Sequence, residues 1–316
     1  MMDIINGSGP AHVKIKDYLS ADEVGEFTSK SDYLAARTVV ISWLSIALVF
    51  VVVNTWTNPL TIFLALLALA GRQLGLAVIE HECGHHTLFE TESLNRFCGQ
   101  WLAAKAVFSD MHTYARDHTG HHRHAGTTED PDLSNYVNYP VNKASFKRKV
   151  IRDLTGQTGF KLIRFIASQA AGIFAKDKEK RQRARSHIEQ IAVNIVLASL
   201  LGVFLSPWLY LLWIGAFVTT YTLIVRIRQV AEHAAVPDQF SEDPRNNTRT
   251  TIPYWWERLV FAPNYVNYHL EHHFMAGVPC YRLPALHRLL RERGAYTETR
   301  IFHGYNEVVR HAITGQ

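Results

Sequence analysis

Cysteine is scarce in this chain: three residues, Cys83, Cys98 and Cys280, among 316. They are widely spaced and form no C-x-x-C pair, which excludes a disulfide framework and a fused four-thiolate iron–sulfur module. Reduced thiols are expected. No G-x-G-x-x-G stretch occurs, so the chain shows no loop to cradle the phosphates of a flavin or nicotinamide. His-Pro-Gly-Gly, the mark of a fused cytochrome b5, is absent too, as are low-complexity segments and internal repeats beyond a pairing of apolar runs. The first apolar run begins near residue 36, behind a polar leader, so no cleaved signal peptide is expected. Lys and Arg are missing from two short connections, 54–59 and the turn around 206.

What the chain does have is segregation. It is 47% hydrophobic with a mean hydropathy near zero, an average over long apolar runs and very polar stretches. Length alone allows one domain or two; the apolar runs favour one membrane-embedded unit with a polar cap. The expected spans are 36–56, 59–79, 188–205 and 207–225, each near the roughly 20 residues that cross a bilayer. Turns at 54–59 and Ser206-Pro207-Trp208 join them into two hairpins. Arg72 and Gln73 lie inside the second run, and a charge there must face protein or reach the interface. The formal charge is +5. The basic residues crowd beside the apolar runs, notably from Lys143 to Arg185, so an anionic membrane surface is a simpler partner than nucleic acid. Because Lys and Arg mark cytoplasmic loops, both termini and the whole polar region fall on the cytoplasmic side. The expected fold is all-α and integral to the membrane. Four transmembrane helices in two hairpins carry a cytoplasmic helical cap that holds a His-rich two-metal site.

Smaller signals fill in the rest. Residues 1–35 form a cytoplasmic N-terminal segment, with Ser20 and Glu23 spaced as a helix capping box. His12 there is read as a surface residue. Phe97–Phe108 is apolar but too short to span, and an interfacial position is expected. Lys176–Arg181 reads as a solvated linker. Residues 291–316 form a charged cytoplasmic tail.

The chemistry lies in histidine. His81-Glu82-Cys83-Gly84-His85-His86 ends the second apolar run, His118-Thr119-Gly120-His121-His122 follows, and His269-Leu270-Glu271-His272-His273 comes near the end. Residues three or four apart share a helix face, so each cluster can aim two imidazoles at one point. The adjacent second His points about 100° round the helix, toward a neighbouring point. Such clusters suit two metals better than one. A closed structural zinc site needs only four ligands, usually including Cys. His81-Glu82-x-x-His85 also fits H-E-x-x-H, in which two His bind zinc and the Glu acts as base. That reading leaves the other two clusters without a task. A metal transporter would place its site near the bilayer midplane rather than in a cap.

The series H-x-x-x-H, H-x-x-H-H, H-x-x-H-H on four spans resembles the membrane fatty acid desaturase and hydroxylase family over roughly residues 36–290. The first box and the stretch from His269 to Pro279 are similar to those of acyl-lipid desaturases. The resemblance implies a di-iron centre, O2 as co-substrate, and desaturation of a fatty acyl lipid or acyl thioester in lipid metabolism, with hydroxylation as the alternative. The implied iron ligands are His81 and His85; His118, His121 and His122; His269, His272 and His273. His233, after the fourth span, matches an additional family histidine. Gln229, four residues earlier, stands where acyl-CoA desaturases carry an Asn that acts through water. His86 and His124 adjoin the boxes and are expected to hydrogen-bond the ligands. Asp117, Glu129, Asp130, Asp132 and Glu232 are candidates to orient imidazoles in the same way. The resemblance also implies an external electron carrier, a ferredoxin or cytochrome b5-like protein with its reductase. A bacterial inner membrane is the expected location.

Overall fold

The computed structural model describes residues 15–297 and 299–314; His12 lies outside them, with the rest of 1–14. The fold is mostly helical. Helix α1 spans Ala21–Thr28 and starts in the capping box read from the sequence: Glu23 N–H donates to the Ser20 hydroxyl and Ser20 N–H to the Glu23 carboxylate. Among the described residues four long helical segments are apolar enough to cross a membrane. These are α2 (Asp32–Thr55), α3 (Pro59–Gly84), α8 (Lys178–Phe204), and a fourth built from α9 (Leu209–Ala216), a π-helical turn at Phe217–Tyr221 and α10 (Thr222–His233).

Each segment runs past the span read from its apolar residues. Ser31 caps α2 ahead of the apolar run, and α3 continues through the first histidine cluster to Gly84. Helix α8 begins at Lys178, with Asp177 accepting from Glu179 N and Lys180 N. The supposed linker is therefore mostly the first turn of a helix. Lys, Glu, Arg and Gln are good helix formers, and polarity removes such residues from lipid without removing them from helix.

The buried residues of α2, Ala35, Val39, Ser42, Ile46, Phe50 and Val53, recur every three or four positions and form an inward stripe. Its opposite side, with Leu44 and Leu48, is equally apolar yet exposed, as a lipid-facing surface must be. Helix α3 is the central element: it packs against α2, α9 and the π-helical turn. Gln73 Nε2 donates to the Trp213 carbonyl of α9 at 2.8 Å. Arg72 turns to protein, its Nη2 donating to the Leu259 carbonyl at 2.7 Å. That carbonyl belongs to the short helix α12 (Glu257–Val260), which lies on α3. A Cβ on Gly71 would sit 2.3 Å from it, so only glycine admits this approach.

Residues 97–108, expected at the interface, bury one face on α3 and leave Phe97 and Trp101 exposed. Helix α4 (Glu92–Phe97) runs into a π-helical turn, Cys98–Ala104, that packs on α3 and buries Cys98, Gly99, Ala103 and Ala104. Small residues make this close packing possible; a Cβ on Gly99 would meet Cys83 Cβ at 2.4 Å. Helix α5 (Met111–His124) follows, capped by Asp110, which accepts from Thr113 N at 3.0 Å. Lys105, fully buried, donates to the same carboxylate at 2.8 Å and to the Ser186 hydroxyl of α8 at 2.8 Å. Burial opposes charge on Asp110, but the Lys105, Gln100, Ser186 and Thr113 donors hold its pKa well below the usual carboxylate range. This network fixes α5 against α8.

Helices α6 (Lys143–Leu154) and α7 (Gln157–Ala170) bridge back to α8, and α7 packs on the π-helical turn of the fourth segment. Beyond α10 come α11 (Pro244–Asn247), α12, α13 (His269–Phe274), α14 (Leu283–Glu292) and α15 (Tyr305–His311). Two short parallel pairings, Val141–Asn142 with Ile313–Thr314 and Thr251–Ile252 with Phe302–His303, tie the end of the chain back to its middle. Phe302, Tyr305 and Val308 pack with Ala231 of α10, so the charged tail contributes an apolar face to the helix that bears His233.

Candidate metal centre

Four elements deliver the histidines. His81 and His85 sit at the C-terminal end of α3, His233 ends α10, α5 carries the second cluster and α13 the third. All nine histidines singled out in the sequence as ligands converge. They form two adjacent groups, His81, His85, His118, His122 and His272, and His121, His233, His269 and His273, with ligand atoms within 4.8 Å of one another in each group. The groups touch: the His122 and His273 ring centroids are 4.5 Å apart. Pairs four apart, 81/85, 118/122 and 269/273, share a group. The residue three along, His121 or His272, enters the other one.

The tautomers point the same way. His121 Nδ1 lies 2.9 Å from Asp130 Oδ1, and His81 Nδ1 lies 3.2 Å from Glu82 Oε1. His233 Nδ1 donates to the Asn247 carbonyl at 3.1 Å, an acceptor with no alternative role. Each Nδ1 therefore carries the proton and leaves a lone pair on Nε2. The His233 and His269 Nε2 atoms face each other at 2.8 Å, and His269 Nδ1 is 3.7 Å from Glu232 Oε1. His122 Nε2 lies 3.0 Å from His118 Nε2 and 2.9 Å from His272 Nε2, although one ring nitrogen can satisfy only one such neighbour. His85 Nε2 is buried with no hydrogen-bond partner.

Lone pairs turned on one another repel unless a cation lies among them. Two nitrogens about 2.1 Å from one ion and at right angles stand about 3.0 Å apart, which the observed 2.8–3.1 Å separations match. Burial, reinforced by neighbouring imidazoles, pushes His118, His269, His272 and His273 well below the usual histidine pKa. It takes His85 to about 4 and His122 to about 3. At neutral pH these rings are uncharged, the form that binds metal. The cluster is compatible with a metal site.

The supporting residues divide. Asp130 is buried and also accepts from the Tyr136 hydroxyl and Asp132 N–H. Burial opposes its charge, yet the His121 and Tyr136 hydrogen bonds hold its pKa below the ordinary value. Glu232 stands by His269. Gln229 lines a cavity of ≈ 130 Å³ together with His81, His118 and His269.

Three expected partners turn away. His85 ends α3, and His86 adopts φ 59°, which swings its ring out to Glu92, 3.0 Å away. His124 lies at the last turn of α5 and meets Glu129 at 3.3 Å in solvent. Asp117 is one residue off the His118 face, 62% exposed, and pairs with Arg116. Of the remaining acids, Asp132 reaches His121 only at 4.0 Å.

Sequence reasoning missed the support of the third cluster. Glu271 is fully buried and accepts from His287 Nδ1 and Tyr296 Oη at 2.6 Å each, and from the Thr250 hydroxyl. Burial and Glu271 together raise the Tyr296 pKa, keeping it a donor. An acidic residue inside the cluster was the one available signal; its partners lie 16 to 25 residues away.

Glu82 does not face the cavity as a general base would. Its Oε2 accepts from Cys280 N at 2.7 Å and from the Thr87 hydroxyl at 3.1 Å, while Oε1 serves His81. His81 and His85 share their group with three further imidazoles, whereas a catalytic zinc keeps three protein ligands and an open position.

The chain is similar to known proteins. Residues 55–305 match the family model for fatty acid desaturase, beginning later and ending later than the 36–290 over which the sequence shows the resemblance. The chain is 24% identical to dihydrorhizobitoxine desaturase of Bradyrhizobium elkanii over 84% of its own length and 76% of that protein. It is 26% identical to sn-1 oleoyl-lipid 12-desaturase of Synechocystis sp. over 77% of its own length and 71% of that protein. With a model matching most of its length, four apolar helices and a converged histidine cluster, the chain belongs to the fatty acid desaturase family and is a membrane oxidoreductase.

Proposed function

We propose that this enzyme is an O2-dependent acyl-lipid desaturase with two irons. His81, His85, His118, His122 and His272 would hold one iron, and His121, His233, His269 and His273 the other. The observation that carries the reading is the facing of Nε2 lone pairs across each group while the opposite nitrogens are held by Asp130, Glu82 and the Asn247 carbonyl. Neutral imidazole suits iron among other metals. The irons, when bound, supply the redox chemistry with O2 that breaking an unactivated C–H bond demands.

The protein residues do the positioning. Asp130 and Glu82 hold ring orientation and tautomer, Glu232 places a carboxylate near His269 while pairing with Arg228, and Glu271 seats α13 from behind. A groove of ≈ 630 Å³ reaches His118 and Tyr114 past Phe108, Leu162, Phe165 and Ile166. Its apolar wall suits an acyl chain lying beside the first group. Burial raises the Tyr114 pKa, so its hydroxyl stays protonated where it borders this groove.

Forming a double bond from two methylenes releases two electrons and two protons, whereas reducing O2 to two waters consumes four of each. Two electrons must come from outside. A cytoplasmic cap rich in Lys and Arg suits docking of an acidic electron carrier, ferredoxin or cytochrome b5-like. The test is expression in a host of defined lipids, with mass spectrometry of the products and elemental analysis of the purified protein. Two irons per chain and a product two hydrogens lighter than substrate are expected. A product one oxygen heavier would assign hydroxylation, and one tightly held zinc without iron would overturn the reading.

A further inference from the structure

A second cavity, of ≈ 380 Å³, lies behind the end of α10. Arg245, Arg249, Arg300 and His311 line it, and no Asp or Glu does so among the described residues. Arg249 is only 3% exposed. Its Nη2 donates to the carbonyls of Ala234 and Ala235 at 2.6 and 2.8 Å, closing the helix end that carries His233. Among the described residues its buried Nη1 has no hydrogen-bond partner. The guanidinium lies 5.0 Å from the centroid of the Phe302 ring, and Arg300 lies 4.2 Å from the same ring. Two cations thus share one phenyl ring.

Burial, and then the charge of Arg300, lower the Arg249 pKa to about 10. Among the described residues the acidic partner of Arg300 is Glu307, at 3.0 Å on the exposed side, and Arg245 is paired with Asp243. A buried guanidinium with an unused N–H beside a second cation is costly unless an anion closes the arrangement. The planar guanidinium fork matches phosphate oxygens in particular. Val137, Pro140, Val236 and Pro237 give the rest of the wall an apolar character, and the volume exceeds that of a bare phosphate.

We propose that this cavity is a binding site for a phosphate group, held by Arg249 and Arg300, and supplied as a lipid headgroup or as free phosphate. It is distinct from the histidine cluster and stands on the other side of the α10 end. Because Arg249 holds the carbonyls that follow His233, an occupied site would also stiffen that end.

The test is calorimetric titration of the full chain in neutral detergent with two probes, inorganic phosphate and dihexanoyl phosphatidic acid. Saturable binding of one or both is expected. Binding of the phosphatidic acid alone assigns a headgroup site, and equal binding of inorganic phosphate assigns a free-anion site. Arg249→Gln should weaken binding at least about tenfold. Because that change also removes a helix cap, Arg300→Gln provides an exposed second variant, expected to weaken binding while leaving the melting temperature in place. Absence of saturable binding by either probe, or binding unchanged in folded Arg300→Gln and Arg249→Gln proteins, overturns the proposal.

Discussion

Replacing Glu82 by glutamine separates the two chemistries that its sequence context allows. Both carboxylate oxygens accept, one from His81 Nδ1 at 3.2 Å and the other from Cys280 N at 2.7 Å. An amide can accept on one side only. If its oxygen turns to Cys280, its NH2 meets the His81 Nδ1–H and forces the ring to the other tautomer, taking the lone pair off Nε2. If the oxygen turns to His81, the NH2 meets the Cys280 backbone N–H, which cannot rotate away. The first arrangement turns an Nε2–H toward the cluster and the second sets two buried donors against each other, each at a cost of about 1–3 kcal/mol. That converts to roughly 5- to 150-fold in an equilibrium constant, and the usual effect of losing a ligand's hydrogen-bond partner, about 10–100-fold, falls inside it. Competition against a chelator should therefore show weakened iron retention, with turnover falling in parallel and recovering at excess iron. Unchanged iron affinity would refute the reasoning. So would abolished activity with iron content and stability intact, since that pattern assigns Glu82 a proton-transfer role.

Three other outcomes follow from the geometry. His233→Ala removes one of the four imidazoles of the second group, and elemental analysis should show one metal lost and the other retained; loss of neither would detach His233 from the site. Gly159→Ala places a Cβ 2.3 Å from Val218 Cα and 2.4 Å from its carbonyl oxygen, both backbone atoms. Overpacking of about 1–3 kcal/mol should outweigh the roughly 1 kcal/mol by which alanine favours helix, so the melting temperature falls; a rise would show that α7 can shift. Glu23 is held at a pKa of about 2, first by the Arg293 hydrogen bond, against a usual value of 4.5. Its folded pKa is depressed, so the pair stabilises above about pH 4.5 and the effect fades as pH falls toward 2. The melting-temperature difference between wild type and Glu23→Gln should be constant at neutral pH and vanish in acid; a difference that grows in acid would contradict the pairing.

Local periodicity made much of this protein legible. Four apolar runs, three histidine clusters and the capping box at Ser20 are patterns within a single element, set by helix geometry and by the cost of placing charge in lipid. The same periodicity showed that adjacent histidines such as 121 and 122 aim at neighbouring points. What it could not show is which cluster completes which point. Placing His272 with His81 and His85, and His273 with His121 and His233, depends on how α13 is seated against α3, α5 and α10. That seating rests on long-range contacts: Cys280 N on Glu82, Glu271 on His287 and Tyr296, and Lys105 between Asp110 and Ser186. The outward turn of His86 is local: α3 ends at Gly84, and His86, two residues on, takes φ 59°. The sequence thus determined the histidines and their spacing along each helix. Only the packing of helices distant in the chain decided their partition into two groups, since spacing constrains direction within a helix and says nothing of the neighbour it will meet.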